Sequence, residues 1–342
     1  MRRPIRLGVC DVGPGDEPEN NYLVKLLRTR FDIQLCDDPD FLLYSFAGGK
    51  HLQYRCVRIF YTGENKRPQW DECDYAFTFE YSEHFHHYRW PLYAQYGDLN
   101  ALVKKNNYDA ERIIRGKTKF CNFMVTNGAC EQRNRFFDLL SKYKRVDSGG
   151  KFRNNLGYRV GWGSKQEFIR DYKFTIAFEN DSHPGYTTEK IAEPMWANSL
   201  PIYWGNPLVH LEFNPRSFVN YFDHGSLEAL VERVIEIDRN DDLYLEYLRE
   251  PWFHGNAPPQ HLLPEAMLDQ FERIFTTFIT PVALRRPATL RRRARVQWRA
   301  AENWVKANVL RPLRRAIFPQ PGADLKIQEV PSHPAQEHRR AA

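Results

Sequence analysis

No uninterrupted apolar run in the 342 residues reaches the roughly 18 needed to cross a bilayer as a helix. The opening stretch, MRRPIRLGVCDVGPGDEPENN, turns polar after a short apolar segment, so a secretory leader is not expected either. C-x-x-C pairs are missing. Cys10, Cys36, Cys56, Cys73, Cys121 and Cys130 are scattered, mostly in or beside apolar runs, and read as buried thiols in a reducing compartment. The one dense histidine group, His84, His86 and His87, lacks a second ligand pair at short spacing and reads as exposed loop histidines. No internal repeat of fixed period occurs, which excludes a solenoid. Positive charge is scarce where the net +6 suggests it should be abundant. Eleven Lys or Arg stand between residues 281 and 318 against the single acid Glu302, leaving 35 basic against 39 acidic residues in 1–280. Non-specific nucleic-acid binding by the body is therefore disfavoured, since neutralising phosphates needs a positive surface.

What is present is enough apolar surface for a core, at 42% of residues, in a chain long enough for two domains of about 150 residues each. Short β-rich runs at 5–9, 33–36, 57–61 and 75–79, with an amphipathic stretch at 20–30, read as βαβ units and a parallel sheet. After a helical, basic connector at 99–119 the pattern restarts: a strand at 120–126, a helix at 133–143, a strand at 174–178, a helix at 188–198 and a strand at 201–204. Helices at 226–239 and 264–278 close the folded part. The expected organisation is an α/β domain over 1–110, a second over 111–280, a basic helical segment over 281–318 and a disordered tail over 319–342 rich in Pro, Gln, Ala and Glu.

Within 281–318, Val296, Ala300, Trp304, Ala307 and Leu310 fall on one helical face, with Arg292, Arg293, Arg295, Arg299 and Lys306 on or beside the other flank, although Trp298 and Val305 break the stripe. A basic helix with tryptophans suits the headgroup region of an anionic bilayer, each Lys or Arg adding about 1 kcal/mol. Packing of a solvated helix on the body is the alternative.

The segment most informative about chemistry is 172–207. A strand delivers Glu179 and Asn180 to its carboxyl end, a turn through Pro184 and Gly185 follows, and Thr187 or Thr188 caps a helix whose first turn carries Glu189 and Lys190. Open α/β sheets bind ligands outside the carboxyl ends of their strands, where helix N-termini present N–H groups to phosphate. Lys190 adds a point charge for a diphosphate, Tyr186 a hydroxyl donor, and Glu189 a carboxylate able to accept from sugar hydroxyls. A plain helix cap, with Glu189 favouring the N-terminal dipole, explains the spacing equally well.

Three blocks in this stretch resemble the donor-site signature of the bacterial α1,3-fucosyltransferases: Phe178-Glu179-Asn180, Gly185-Tyr186-Thr187-Thr188-Glu189-Lys190 and Pro201-Ile202-Tyr203-Trp204-Gly205. The resemblance extends upstream to Phe60-Tyr61-Thr62-Gly63-Glu64-Asn65, Gln132-Arg133-Asn134 and Phe152-Arg153-Asn154-Asn155, and downstream to Phe213-Asn214-Pro215-Arg216. It implies two facing Rossmann-like domains of the GT-B type, the first binding the acceptor and the second GDP-fucose. It also implies transfer of L-fucose with inversion to a glycan hydroxyl, the 3-OH of GlcNAc or glucose in a surface glycan such as lipopolysaccharide O-antigen. By the same resemblance Arg133 and Lys190 hold the diphosphate, with Tyr186 and Asn180 beside it, Glu189 bonds sugar hydroxyls, and Arg153 is a second cation.

Inverting transfer needs a base for the acceptor proton and cations for the leaving group. Glu80, at the end of the strand 75–79, matches the base of bacterial relatives best, across a one-residue gap; Glu64 and Glu83 are the alternatives. No metal or cofactor is required by this scheme, although a divalent cation accompanying GDP can stimulate it. The sole D-x-D, Asp38-Pro39-Asp40, falls in the first half and reads as a loop with a helix cap. The expected location is cytoplasmic, peripheral on the inner face of the cell membrane through 281–318, with no nucleic-acid partner and an oligomeric state the sequence leaves open. The rival readings are a transferase for another sugar nucleotide and a non-catalytic glycan- or membrane-binding protein of the same fold.

Overall fold

The computed structural model describes residues 4–13, 17–95, 97–285 and 298. Two parallel sheets carry the architecture. The first has six strands, β1 (Ile5–Cys10), β2 (Ile33–Leu35), β3 (Phe41–Tyr44), β4 (Val57–Tyr61), β5 (Tyr75–Thr78) and β6 (His87–Arg89), in the spatial order β2-β1-β3-β4-β5-β6. The second has β7 (Lys119–Phe123), β8 (Val146–Ser148), β9 (Tyr172–Phe178), β10 (Leu200–Trp204) and β11 (Val219–Asn220), in the order β11-β10-β9-β7-β8. The central strands are mostly apolar and mostly buried because helices cover both faces of a parallel sheet. In β9 all but Lys173 is buried, and all of β10 is.

The helices are α1 (Tyr22–Arg28), α2 (Leu92–Gln95), α3 (Ala110–Arg115), α4 (Glu131–Ser141), α5 (Lys165–Arg170), α6 (Glu189–Trp196), α7 (Leu227–Arg239), α8 (Asp241–Arg249), α9 (Pro264–Thr276) and α10 (Val282–Arg285). Their starts follow local chemistry: Asn21, Asp109, Ser226 and Asn240 each accept hydrogen bonds from backbone N–H groups of the first turn.

Four strands were not expected from the sequence. β3 is short and follows a run of acids, and β6, β8 and β11 are edge strands of two or three residues with little or no apolar run to mark them. The helix at 264–278, assigned to the second domain by chain order, packs instead on the first sheet. Phe271 of α9 stacks on Phe77 at 4.7 Å, Phe275 meets Phe31 and Phe41 edge-on, and Arg30 pairs with Glu265 and Asp269. The chain thus crosses to the second half through 97–118 and returns through 251–263. All six cysteines are free, four of them buried and Cys36 and Cys56 half-buried. No helix among the described residues is long and apolar enough to cross a membrane. The basic segment beyond Arg285, save Trp298, and the tail 319–342 lie outside the described residues.

Candidate active site

The carboxyl ends of both sheets open onto one cleft of about 500 Å3. From the second half its wall carries Arg133 of α4, Asn180 beyond β9, Tyr186 and Thr188 of the following loop, and Glu189 and Lys190 of α6; from the first half it carries Glu64 beyond β4 and Leu92. Residues 124–127, Gly150, 159–162 and Lys165 complete it.

Glu179 organises the donor side. It is fully buried, and its two oxygens accept from Thr188 N at 2.7 Å and Thr188 Oγ1 at 2.6 Å, which pins the start of α6. Gly205 makes room for it, since a Cβ there would lie 2.3 Å from Glu179 Cγ. Lys190 Nζ sits 3.3 Å from Glu179 Oε2 and 3.5 Å from Glu189 Oε1. Burial alone would push the ammonium toward neutrality, but the two carboxylates outweigh it and hold its pKa at about 12. Glu189 keeps Oε2 buried with no hydrogen-bond partner among the described residues.

Arg133 has no exposed surface and forms the floor of the cleft. Its Nη1 donates to Asn180 Oδ1 at 2.8 Å and to Phe178 O at 3.2 Å, and its Nη2 donates to Asn127 O. The guanidinium therefore ties the end of β9 to the loop after β7, while Nε remains buried without a partner. Burial draws its pKa down.

Of the sequence-predicted residues, Glu64, Arg133, Asn180, Tyr186, Glu189 and Lys190 meet in this cleft; Arg153, Glu80 and Glu83 do not line it. Arg153 pairs with Asp138 and lies over the rings of Phe137 and Phe152. Glu80 stands just past the end of β5, half-buried, with Arg67 Nε 2.8 Å from its Oε1. Burial pushes its carboxyl above the usual value, against the pull of Arg67 and His183. Glu80 is nonetheless close to the donor loop: the Phe79 ring meets Tyr186 edge-on at 5.1 Å, and Phe79 O would lie 2.5 Å from a Cβ on Gly185. Glu83 is exposed.

Sequence reading missed Trp162, Arg159 and Lys165. Trp162 is 66% exposed on the cleft wall, and Lys165, which pairs with Glu193 at 2.5 Å, lies 5.1 Å from its ring. An isolated tryptophan between glycines was the only signal, and it has no spacing rule. Asp38 and Asp40 precede β3 rather than a helix, at the opposite end of the sheet, where Asp38 pairs with Arg6 at 2.7 Å. His84 stacks on Trp70, and His87 Nε2 lies 2.8 Å from Thr78 Oγ1, its pKa drawn down to about 4 by burial. No group of three His, Cys, Asp or Glu among the described residues is placed to hold a metal ion.

Two family models match the chain: the alpha-(1,3)-fucosyltransferase FucT N-terminal domain over residues 7–96, and the glycosyltransferase family 10 (fucosyltransferase) C-terminal region over 114–257. The alpha-(1,3)-fucosyltransferase FucT of Helicobacter pylori is 32% identical over 292 residues, covering 72% of this chain, which spans 60% of that protein's length. A 3-galactosyl-N-acetylglucosaminide 4-alpha-L-fucosyltransferase of Bos taurus is 32% identical over 144 residues, covering 40% of this chain and 37% of its own. The crystal structure of an α1,3-fucosyltransferase with GDP superposes with a TM-score of 0.71 at 27% identity, over 84% of this chain and 94% of that one. The same comparison with an α1,3-fucosyltransferase holding GDP-fucose gives 0.67.

Proposed function

Because the chain belongs to glycosyltransferase family 10, the fucosyltransferases, we propose that it moves L-fucose from GDP-fucose to a glycan hydroxyl with inversion at the anomeric carbon. The observation that carries this reading is the cleft in which Lys190, Arg133 and Asn180 of one half face Glu64 of the other, with Phe79, the residue before Glu80, against the donor loop. In the proposed step the acceptor oxygen bonds to the anomeric carbon, its proton passes to a carboxylate of the first half, and the bond to the β-phosphate breaks. Charge grows on the departing GDP, and Lys190 stabilises it as a fixed cation at the N-terminus of α6. Glu189, with an oxygen to spare, accepts from the fucose hydroxyls. The guanine lies toward Trp162 and Arg159, the open end of the wall.

Glu80 is the proposed base, its raised pKa suiting a proton acceptor better than an ordinary surface carboxylate. Glu64 is the second reading, favoured by its place in the cleft wall. Glu80→Gln and Glu64→Gln separate them: the base variant loses kcat by at least about a hundredfold, and the other keeps most of it. The acceptor we propose is the 3-OH of GlcNAc or glucose in a surface glycan such as lipopolysaccharide O-antigen, reached at the inner face of the cell membrane through the basic segment 281–318.

A donor panel with glycan acceptors, followed by linkage analysis of the product, tests the reading. Transfer from GDP-fucose supports it. Transfer only from another sugar nucleotide, or GDP binding without any turnover, overturns it.

A further inference from the structure

The Gly185 turn, which leads into Tyr186 and Thr188, is held by a charged side chain from the other half of the molecule. Arg89 ends β6 on the edge of the first sheet, with its side chain only 11% exposed. Its Nη2 lies 2.7 Å from Glu212 Oε1 in the second half and donates to Gly185 O at 3.3 Å, and the guanidinium covers the Tyr81 ring at 4.3 Å. Glu212, 4% exposed, accepts on the same oxygen from Thr187 Oγ1 at 2.9 Å and Asn206 Nδ2 at 2.7 Å. Asn206 in turn accepts from Gly185 N at 2.7 Å. Glu212 and Asn206 thus grip the turn from the second half at residues 185 and 187, while Arg89 reaches it from the first.

Nearby, Asn65 of the first half donates to Asp181 at 2.7 Å, and Phe79 O abuts Gly185. The donor loop is thereby hydrogen-bonded at two points, and in close contact at a third, with the half that carries Glu64 and Glu80.

A buried ion pair is a poor way to gain stability, because desolvating both charges offsets most of their attraction and apolar residues of similar volume do as well. What such a pair does supply is a fixed geometry, since either partner left alone in the interior is strongly unfavourable. We infer that Arg89 and Glu212 are a positioning pair that sets the donor loop from the acceptor half, so that Tyr186 and Lys190 hold their register against Glu64 and Glu80 and donor binding reports on the closure of the two halves. The inference rests on the proposed donor site.

The test compares the wild-type protein with Arg89→Met, Arg89→Lys and Glu212→Gln. Arg30→Ala serves as a control that removes ion pairs between the segment after α1 and α9, away from the residues that line the cleft. GDP affinity is measured by calorimetry, kcat and KM for GDP-fucose with a glycan acceptor, and Tm for each variant. Arg89→Met and Glu212→Gln are expected to weaken GDP binding and lower kcat, each on the order of ten- to a hundredfold, with partial recovery in Arg89→Lys. Arg30→Ala is expected to lower Tm and leave both unchanged. GDP affinity and kcat that stay at wild-type values in Arg89→Met, with a loss of Tm like that of Arg30→Ala, would reduce the pair to structural glue. Should Arg89→Met fail to fold, Arg89→Lys and Glu212→Gln decide by the same readouts. A wild-type protein that does not bind GDP overturns the donor-site reading itself, a result distinct from wild-type binding that ignores Arg89.

Discussion

Lys190 Nζ lies 3.3 Å from Glu179 Oε2, a carboxylate with no exposed surface that also fixes the first turn of α6. One buried acid thus aims the helix that presents the lysine and, with Glu189, keeps the lysine charged. Lys190→Ala is expected to lower kcat by about two to three orders of magnitude through lost leaving-group stabilisation, and Arg133→Ala to lower it as well through loss of the hydrogen bonds that hold Asn180 and the loop after β7 in the cleft wall. Steady-state rates near normal in folded variants would move the diphosphate site elsewhere.

A base must be deprotonated to act, and burial raises the Glu80 carboxyl while Arg67 and His183 pull it down. Removing Arg67 removes part of the downward pull, so Arg67→Ala should shift the acid limb of the kcat/KM profile to higher pH. The pH–rate profiles of the two proteins check this; a limb that stays put or moves to lower pH rejects Glu80 as the base.

Gly185 has φ +83, and a Cβ on it would meet the Phe79 carbonyl at 2.5 Å. Gly185→Ala should therefore lose roughly 1–3 kcal/mol of stability from left-handed strain and the clash and weaken GDP binding with it. Denaturant unfolding and GDP titration measure the two effects, and a neutral substitution would mean that the halves do not close on this loop.

Trp162 presents an exposed indole on the cleft wall. If guanine stacks there, Trp162→Ala weakens GDP affinity by about 1–3 kcal/mol, the usual worth of a base on an aromatic ring. Trp162→Phe restores most of it. An unchanged GDP affinity with a raised KM for the glycan would assign the indole to the acceptor.

Ending the chain at Arg285, the last residue of α10, should release the protein from anionic vesicles and leave transfer in solution largely intact. Flotation at low and high salt tests this, because binding by the basic segment weakens as ionic strength rises. Undiminished flotation of the shortened chain would reject the membrane reading.

The two sheets were legible because β1, β4, β5, β7, β9 and β10 are apolar runs bounded by turns, and the gathering of Glu64, Asn180, Tyr186, Glu189 and Lys190 follows from their common position after strand ends or at a helix start. β6 and β8, His-Tyr-Arg and Val-Asp-Ser, are three residues each and mix polar with apolar side chains, too short a stretch to show a period. Chain order could not reveal that α9 covers the first sheet, since an amphipathic stripe says that a helix packs but not on what. The Arg89–Glu212 pair was equally silent: its members are far apart in sequence, and each reads alone as an ordinary surface charge.

The return of α9 to the first sheet has a mechanical consequence. The polypeptide straps its two lobes together twice, at 97–118 and at 251–263, so a protease that nicks either strap leaves the lobes tethered by the other. Any opening of the lobes is thereby confined to bending about the line through both connections, and it has to part Arg89 from Glu212 and Asn65 from Asp181.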